Sequence, residues 1–127
     1  MPIKVLLADD SAIVRQSIRL LLRSQSEIEL VGEAVDYGQT IRMMKELNPE
    51  VILLDLHMPG ETQAMLLDVK SHLKDGSRLL AISFFNDESA KTLAENLGAT
   101  GFLDKTEIGL KLIPTIAQLV SPRKTAA

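Results

Sequence analysis

Three acids, a hydroxyl and an amine stand at the ends of apolar runs in this 127-residue chain. Asp9 and Asp10 follow Ile3 to Ala8, Asp55 closes Val51 to Leu54, Ser83 closes Leu79 to Ile82, and Lys105 follows Gly101-Phe102-Leu103-Asp104. Asp55 is the most informative, because an acid delivered straight from an apolar strand meets the cost of burying a lone charge. Carboxylates crowded together repel one another and raise each other's pKa unless a cation neutralises them. Mg²⁺ suits such a set, since it prefers an octahedron of oxygens, keeps several waters, and often takes one or two carboxylates plus a phosphate oxygen. A carboxylate can also attack phosphorus to form an aspartyl phosphate, provided a metal and a lysine spread the charge on the transferring group. Lys105 and the Ser83 hydroxyl fit those duties.

Taken singly, these residues have plainer readings. Asp9, Asp10 or Ser11 could cap the helix that follows. Lys105 could be a surface lysine, and Ser83 a loop hydroxyl that bonds its own backbone. Met58-Pro59-Gly60 by itself is a turn signal, and His57 and His72 show no metal-binding spacing. What separates the chemical reading from these is joint placement, and that depends on the elements carrying the residues.

Ile3 to Ala8, Val51 to Leu54 and Leu79 to Ile82 read as strands buried on both faces, as parallel strands covered by helices are. Ile28 to Val35 alternates more, and Gly101-Phe102-Leu103 is short, following a break at Gly98-Ala99-Thr100. Helical periods fill the gaps: Val14, Ile18, Leu21 and Leu22; Ile41, Met44 and Leu47; Met65, Val69 and Leu73; Ala90, Leu93, Ala94 and Leu97; Leu112, Ile116 and Leu119. The last of these is expected to stop near Ser121-Pro122, and Pro114 inside it predicts a late start or a kink. Strand and helix alternate five times, which predicts an α/β flavodoxin-like (βα)5 fold, a doubly wound parallel five-stranded sheet of order 2-1-3-4-5. Its ligand site lies at the carboxyl ends of strands 1 and 3, where the winding reverses. All the candidate residues fall on that edge. One domain is expected over 1–121, with 122–127 a C-terminal tail or the start of a linker.

Composition sets further bounds. Lys and Arg number 14 against 17 Asp and Glu, a net charge of -3, the wrong sign for holding a polyanion through counterion release. Direct nucleic-acid binding by this chain is therefore not expected. Cysteine is absent, which removes disulfides and thiolate metal sites and fits a cytoplasmic location. The first apolar run is too short and wrongly flanked for a signal peptide, and no stretch approaches the ~18 apolar residues of a membrane span.

Asp9-Asp10, Leu54-Asp55 with Met58-Pro59-Gly60, Ser83, and Gly101-Phe102-Leu103-Asp104-Lys105 together resemble the response-regulator receiver pattern of two-component systems, over nearly the whole chain. Asp9-Asp10-Ser11, Val31-Gly32-Glu33-Ala34 and Asn48-Pro49-Glu50-Val51 are most similar to receivers of the NarL type, which usually precede a DNA-binding helix-turn-helix. The resemblance implies that Asp55 accepts a phosphoryl group from a sensor histidine kinase or phosphotransfer protein. It also implies that Asp10 and Asp55 bind Mg²⁺ directly, that Asp9 helps through water, and that the His57 backbone carbonyl completes the set. Ser83 and Lys105 would bind the phosphoryl oxygens. Ser83 and Phe102 would act as the switch, changing the face formed by the fourth helix, fifth strand and fifth helix, where a dimer mate or target docks. The implied role is signalling, most often in transcription, with no catalysis beyond the chain's own phosphoryl transfer and dephosphorylation.

Three positions depart from the family's common pattern. Gln63 replaces a frequent second glycine, Phe84 a frequent small residue, and Phe85 lies two beyond Ser83, bordering the path of the hydrolytic water. Phe85 is expected to shield the acyl phosphate. Among rivals, a haloacid-dehalogenase-like phosphatase needs an aspartate where His57 stands. A dinucleotide or flavin binder needs a glycine-rich or hydroxyl-rich phosphate loop that is missing. A receiver-like adaptor signalling without phosphorylation would not need the acids and Lys105.

Overall fold

The computed structural model describes residues 2–60 and 62–125, with side chains through residue 120. In chain order it comprises β1 (Ile3–Ala8), α1 (Ala12–Arg23), β2 (Ile28–Ala34), α2 (Tyr37–Leu47), β3 (Val51–Asp55), α3 (Gln63–Ser71), β4 (Arg78–Ser83), α4 (Glu88–Asn96), β5 (Gly101–Asp104) and α5 (Ile108–Thr125). A 3₁₀ turn, Lys105–Glu107, joins β5 to α5. The strands are parallel and ordered β2-β1-β3-β4-β5, as the alternation of periods requires. The middle strands β1, β3 and β4 are almost wholly buried, which explains their continuous apolar runs.

Two apolar layers sandwich the sheet. Ile18 and Leu22 of α1 pack with Ile108, Leu112, Ile116 and Val120 on one face. Tyr37, Ile41 and Met44 of α2, Leu66 and Val69 of α3, and Ala90 and Ala94 of α4 pack on the other. Helices α1 to α4 each begin on a side-chain cap: Ser11, Asp36, Thr62 and Asp87 accept from the amides of Val14, Gln39, Met65 and Ala90. The helix end of the first four reversals at the carboxyl edge is thereby fixed locally.

Register along β2 slips once. Val5 pairs with Leu30 but Leu6 pairs with Gly32, leaving Val31 as the extra residue of a bulge. Before it, Ile28 and Leu30 pack toward α1; after it, Ala34 packs toward α2. This is why the alternation read from Ile28 to Val35 is imperfect.

Helix α5 departs from expectation at both ends. It starts at Ile108, six residues ahead of Pro114, and its backbone continues to Thr125 instead of stopping near Ser121-Pro122. Pro114 deprives the Leu110 carbonyl of its usual helical donor. Leu110 is 84 % exposed and Pro114 is also exposed, so water can serve that carbonyl. Residues 126 and 127 of the expected tail lie outside the described residues.

Candidate phosphorylation site

Asp55 is the last residue of β3 and Asp9 the first beyond β1, and both are buried, with 2 % and 0 % exposure. Neighbouring strands β1 and β3 deliver them side by side, because Ala8 pairs with Leu54. Asp10 lies on the exposed side. One carboxylate oxygen from each of Asp9, Asp10 and Asp55 falls within 4.8 Å of the others. From the far side of the sheet edge Lys105 returns, its side chain only 6 % exposed, with Nζ 2.7 Å from Asp9 Oδ2 and 3.1 Å from Asp55 Oδ2.

The remaining capacity of the two buried carboxylates is unequally filled. Asp55 Oδ1 accepts from the His57 amide at 3.0 Å, and Asp9 Oδ1 from the Ser11 amide at 2.8 Å. Asp9 Oδ2, although at ion-pair distance from Lys105, accepts no hydrogen bond of good geometry. Burial pushes the Asp55 carboxyl above the usual carboxylate range, and the Asp9 charge adds to that; the His57 amide and the Lys105 ammonium act against it. A cluster of hard oxygen donors with an unfilled buried oxygen fits a small divalent cation, which would relieve both the repulsion and the desolvation.

Ser83 ends β4 one position beyond Ile82, the register partner of Asp55. Its buried hydroxyl accepts from the Phe85 amide at 2.9 Å, so the plainer reading of a hydroxyl bonding its own backbone holds in this state. Phe84 and Phe85 are each 58 % exposed. The Phe84 ring lies 5.1 Å from the Lys105 ammonium, and the Phe85 ring meets the exposed His57 edge-on at 5.1 Å. Phe102 is partly buried against the layer of α2, α3 and α4. Gln63, at the departure from the common pattern, is simply the first residue of α3 behind the Thr62 cap.

Sequence reasoning missed two supports. The Arg15 guanidinium donates to the Asp9 carbonyl at 2.9 Å and is 3.4 Å from Glu33, which also holds Arg19 at 2.7 and 2.8 Å. Tyr37 is buried to 1 % exposure and sends its hydroxyl to the Asp55 carbonyl. The available signal was that it is the chain's only tyrosine, placed inside a cap motif where its ring had to go somewhere.

Residues 5–117 match the response regulator receiver domain. The chain belongs to that family. Among curated relatives, it is 36% identical over 110 residues to a protein-glutamate methylesterase/protein-glutamine glutaminase of Geobacter metallireducens, covering 86% of this chain and 30% of that one. It is 34% identical over 115 residues to the transcriptional regulatory protein LiaR of Bacillus subtilis, covering 90% and 54%. The signal receiver domain of NarL from Mycobacterium tuberculosis superimposes with a TM-score of 0.76 at 31% identity, covering 92% of this chain and 97% of that one. The chain thus spans about a third of the methylesterase and about half of LiaR. Among the described residues no helix of this receiver is long and apolar enough to cross a membrane.

Proposed function

We propose that this receiver takes a phosphoryl group on Asp55 from a sensor histidine kinase or phosphotransfer protein. The observation that carries the reading is the meeting of Asp55 with Asp9, Asp10 and the buried Lys105 ammonium at one sheet edge. An Asp55 carboxylate oxygen attacks the phosphorus of a phosphohistidine; the P–N bond breaks as the O–P bond forms, and the imidazole leaves with the electron pair. Lys105 supplies positive charge at the transferring group, and Ser83 supplies a hydroxyl once it exchanges its bond to the Phe85 amide for a phosphoryl oxygen. Asp10, Asp55 and the His57 carbonyl would hold Mg²⁺ directly, with Asp9 Oδ2 accepting from a water of its shell. Bound there, the ion supplies the charge neutralisation that lets acids and phosphate share the pocket.

Reorientation of Ser83 empties space behind it for Phe102, and the face of α4, β5 and α5 changes with it, for a target or for a second copy of the chain. Output is an attached or separate module. Control of transcription is supported by the likeness to the transcriptional regulatory protein LiaR, and the methylesterase relative shows that receivers of this kind also sit in other proteins. The chain itself would catalyse only its own phosphoryl transfer and dephosphorylation, in the cytoplasm.

Incubation with acetyl phosphate and Mg²⁺, followed by intact mass, tests the reading. Wild type should gain one phosphoryl group and Asp55→Asn none. Equal gain by the variant would move the acceptor elsewhere.

A further inference from the structure

The Asp36 side chain accepts from the Gln39 amide at 2.7 Å and so sets the first turn of α2. Tyr37, the first residue of that helix, lies beneath it in the apolar layer against the sheet. A phenol in such a place needs polar partners, since an unpaired buried hydroxyl is unfavourable. It finds them outside α2, in the loop after β3. Its hydroxyl donates to the Asp55 carbonyl at 2.9 Å and accepts from the Met58 amide at 3.3 Å. Between these two backbone groups lies His57, whose amide donates to Asp55 Oδ1. The phenol and the His57 amide therefore hold residues 55–58 as one closed unit, with the carboxylate as its inward-facing end.

We propose that Tyr37 is a positioning residue for the phosphorylation site. By fixing the backbone on both sides of His57, it sets the direction of the Asp55 carboxylate and of the carbonyl that His57 offers to the divalent ion. The inference rests on the reading of Asp55 as phosphoacceptor. Tyr37 touches neither phosphoryl group nor ion, and it acts as the outer support of a ligand set. Its consequence is specific: loss of the hydroxyl weakens the ion's hold more than it slows transfer once the ion is bound.

Two measurements test this. Calorimetric titration with Mg²⁺ alone should show an affinity about tenfold weaker for Tyr37→Phe than for wild type. Acetyl phosphate uptake by the variant should be slow at low Mg²⁺ and recover most of the wild-type rate at saturating Mg²⁺. A purely structural role would lower both without that split. Because the chain has one tyrosine and no tryptophan, 3-fluorotyrosine incorporation places a single ¹⁹F reporter on this phenol in an otherwise unaltered chain. Its resonance should shift on Mg²⁺ addition with the calorimetric midpoint, which keeps the idea testable if Tyr37→Phe does not fold. Wild-type Mg²⁺ affinity in Tyr37→Phe, or a ¹⁹F signal indifferent to saturating Mg²⁺, would overturn the inference while leaving the reading of Asp55 intact. A wild type that takes up neither Mg²⁺ nor phosphoryl group would overturn both.

Discussion

At the end of β1 the chain enters α1 after residues 9–11, and what fixes that turn is close in sequence: Asp9 Oδ1 takes the Ser11 amide, Ser11 caps the helix, and Arg15 holds the Asp9 carbonyl. At the end of β3, residues 56–62 separate Asp55 from α3. The Thr62 cap fixes only the far end, and the near end is held by a phenol from α2 as well as by the His57 amide. Both strand ends present a buried carboxylate to Lys105. One is built by its own neighbours, the other borrows its shape from a different helix, so damage at a distance should reach Asp55 before it reaches Asp9.

The largest effects should come from Asp55 itself. Besides ending phosphoryl uptake, Asp55→Asn should raise the melting temperature of the metal-free protein at neutral pH by several degrees. The sign follows from the raised folded pKa: the stability this group contributes is present below its unfolded pKa and is lost as pH rises through the folded value. Wild type should therefore lose stability with rising pH above the ordinary carboxylate range, and Asp55→Asn should flatten that slope in metal-free melts. Equal slopes would mean that Lys105 already compensates the burial. Next comes Tyr37→Phe, which strands a carbonyl and an amide and should cost about 1–3 kcal/mol in denaturant unfolding. Ser11→Ala, at the self-contained end, should cost about 1 kcal/mol and leave Mg²⁺ affinity nearly unchanged. If the two variants weaken Mg²⁺ binding equally, the contrast between the strand ends fails. Smallest is Phe85→Ala: with the edge-on partner of His57 removed, the acyl phosphate should hydrolyse about threefold faster, under 1 kcal/mol in barrier. An unchanged or slower decay in a phosphate-release assay would show that the ring does not shield the site.

What could be read from the sequence follows the same division. The apolar runs before Asp9, Asp55 and Ser83 announce buried parallel strands, and acids at their ends announce the edge where the winding reverses. Ser11 stands among the three candidate caps of the first helix because a cap is a relation between residues three apart. Tyr37 was invisible as a support because its partners lie 18 and 21 positions away and are backbone groups, which carry no residue-type signature. Helix α5 departs from its sequence pattern for a related reason. Local rules penalise Pro114, whereas the exposure of Leu110 and the packing of Leu112, Ile116 and Val120 let the helix run through it.

The bulge at Val31 decides which side of the sheet receives an acid. With the extra residue, Glu33 faces α1, where Arg15 and Arg19 neutralise it and Arg15 goes on to hold the Asp9 carbonyl. Pairing Val31 with Leu6, without the slip, would invert the inward and outward positions after Leu30: Glu33 would stand opposite Ala8 on the side of the α2 layer, and Ala34 would leave it. The slip in an edge strand thus governs the charge balance behind Asp9.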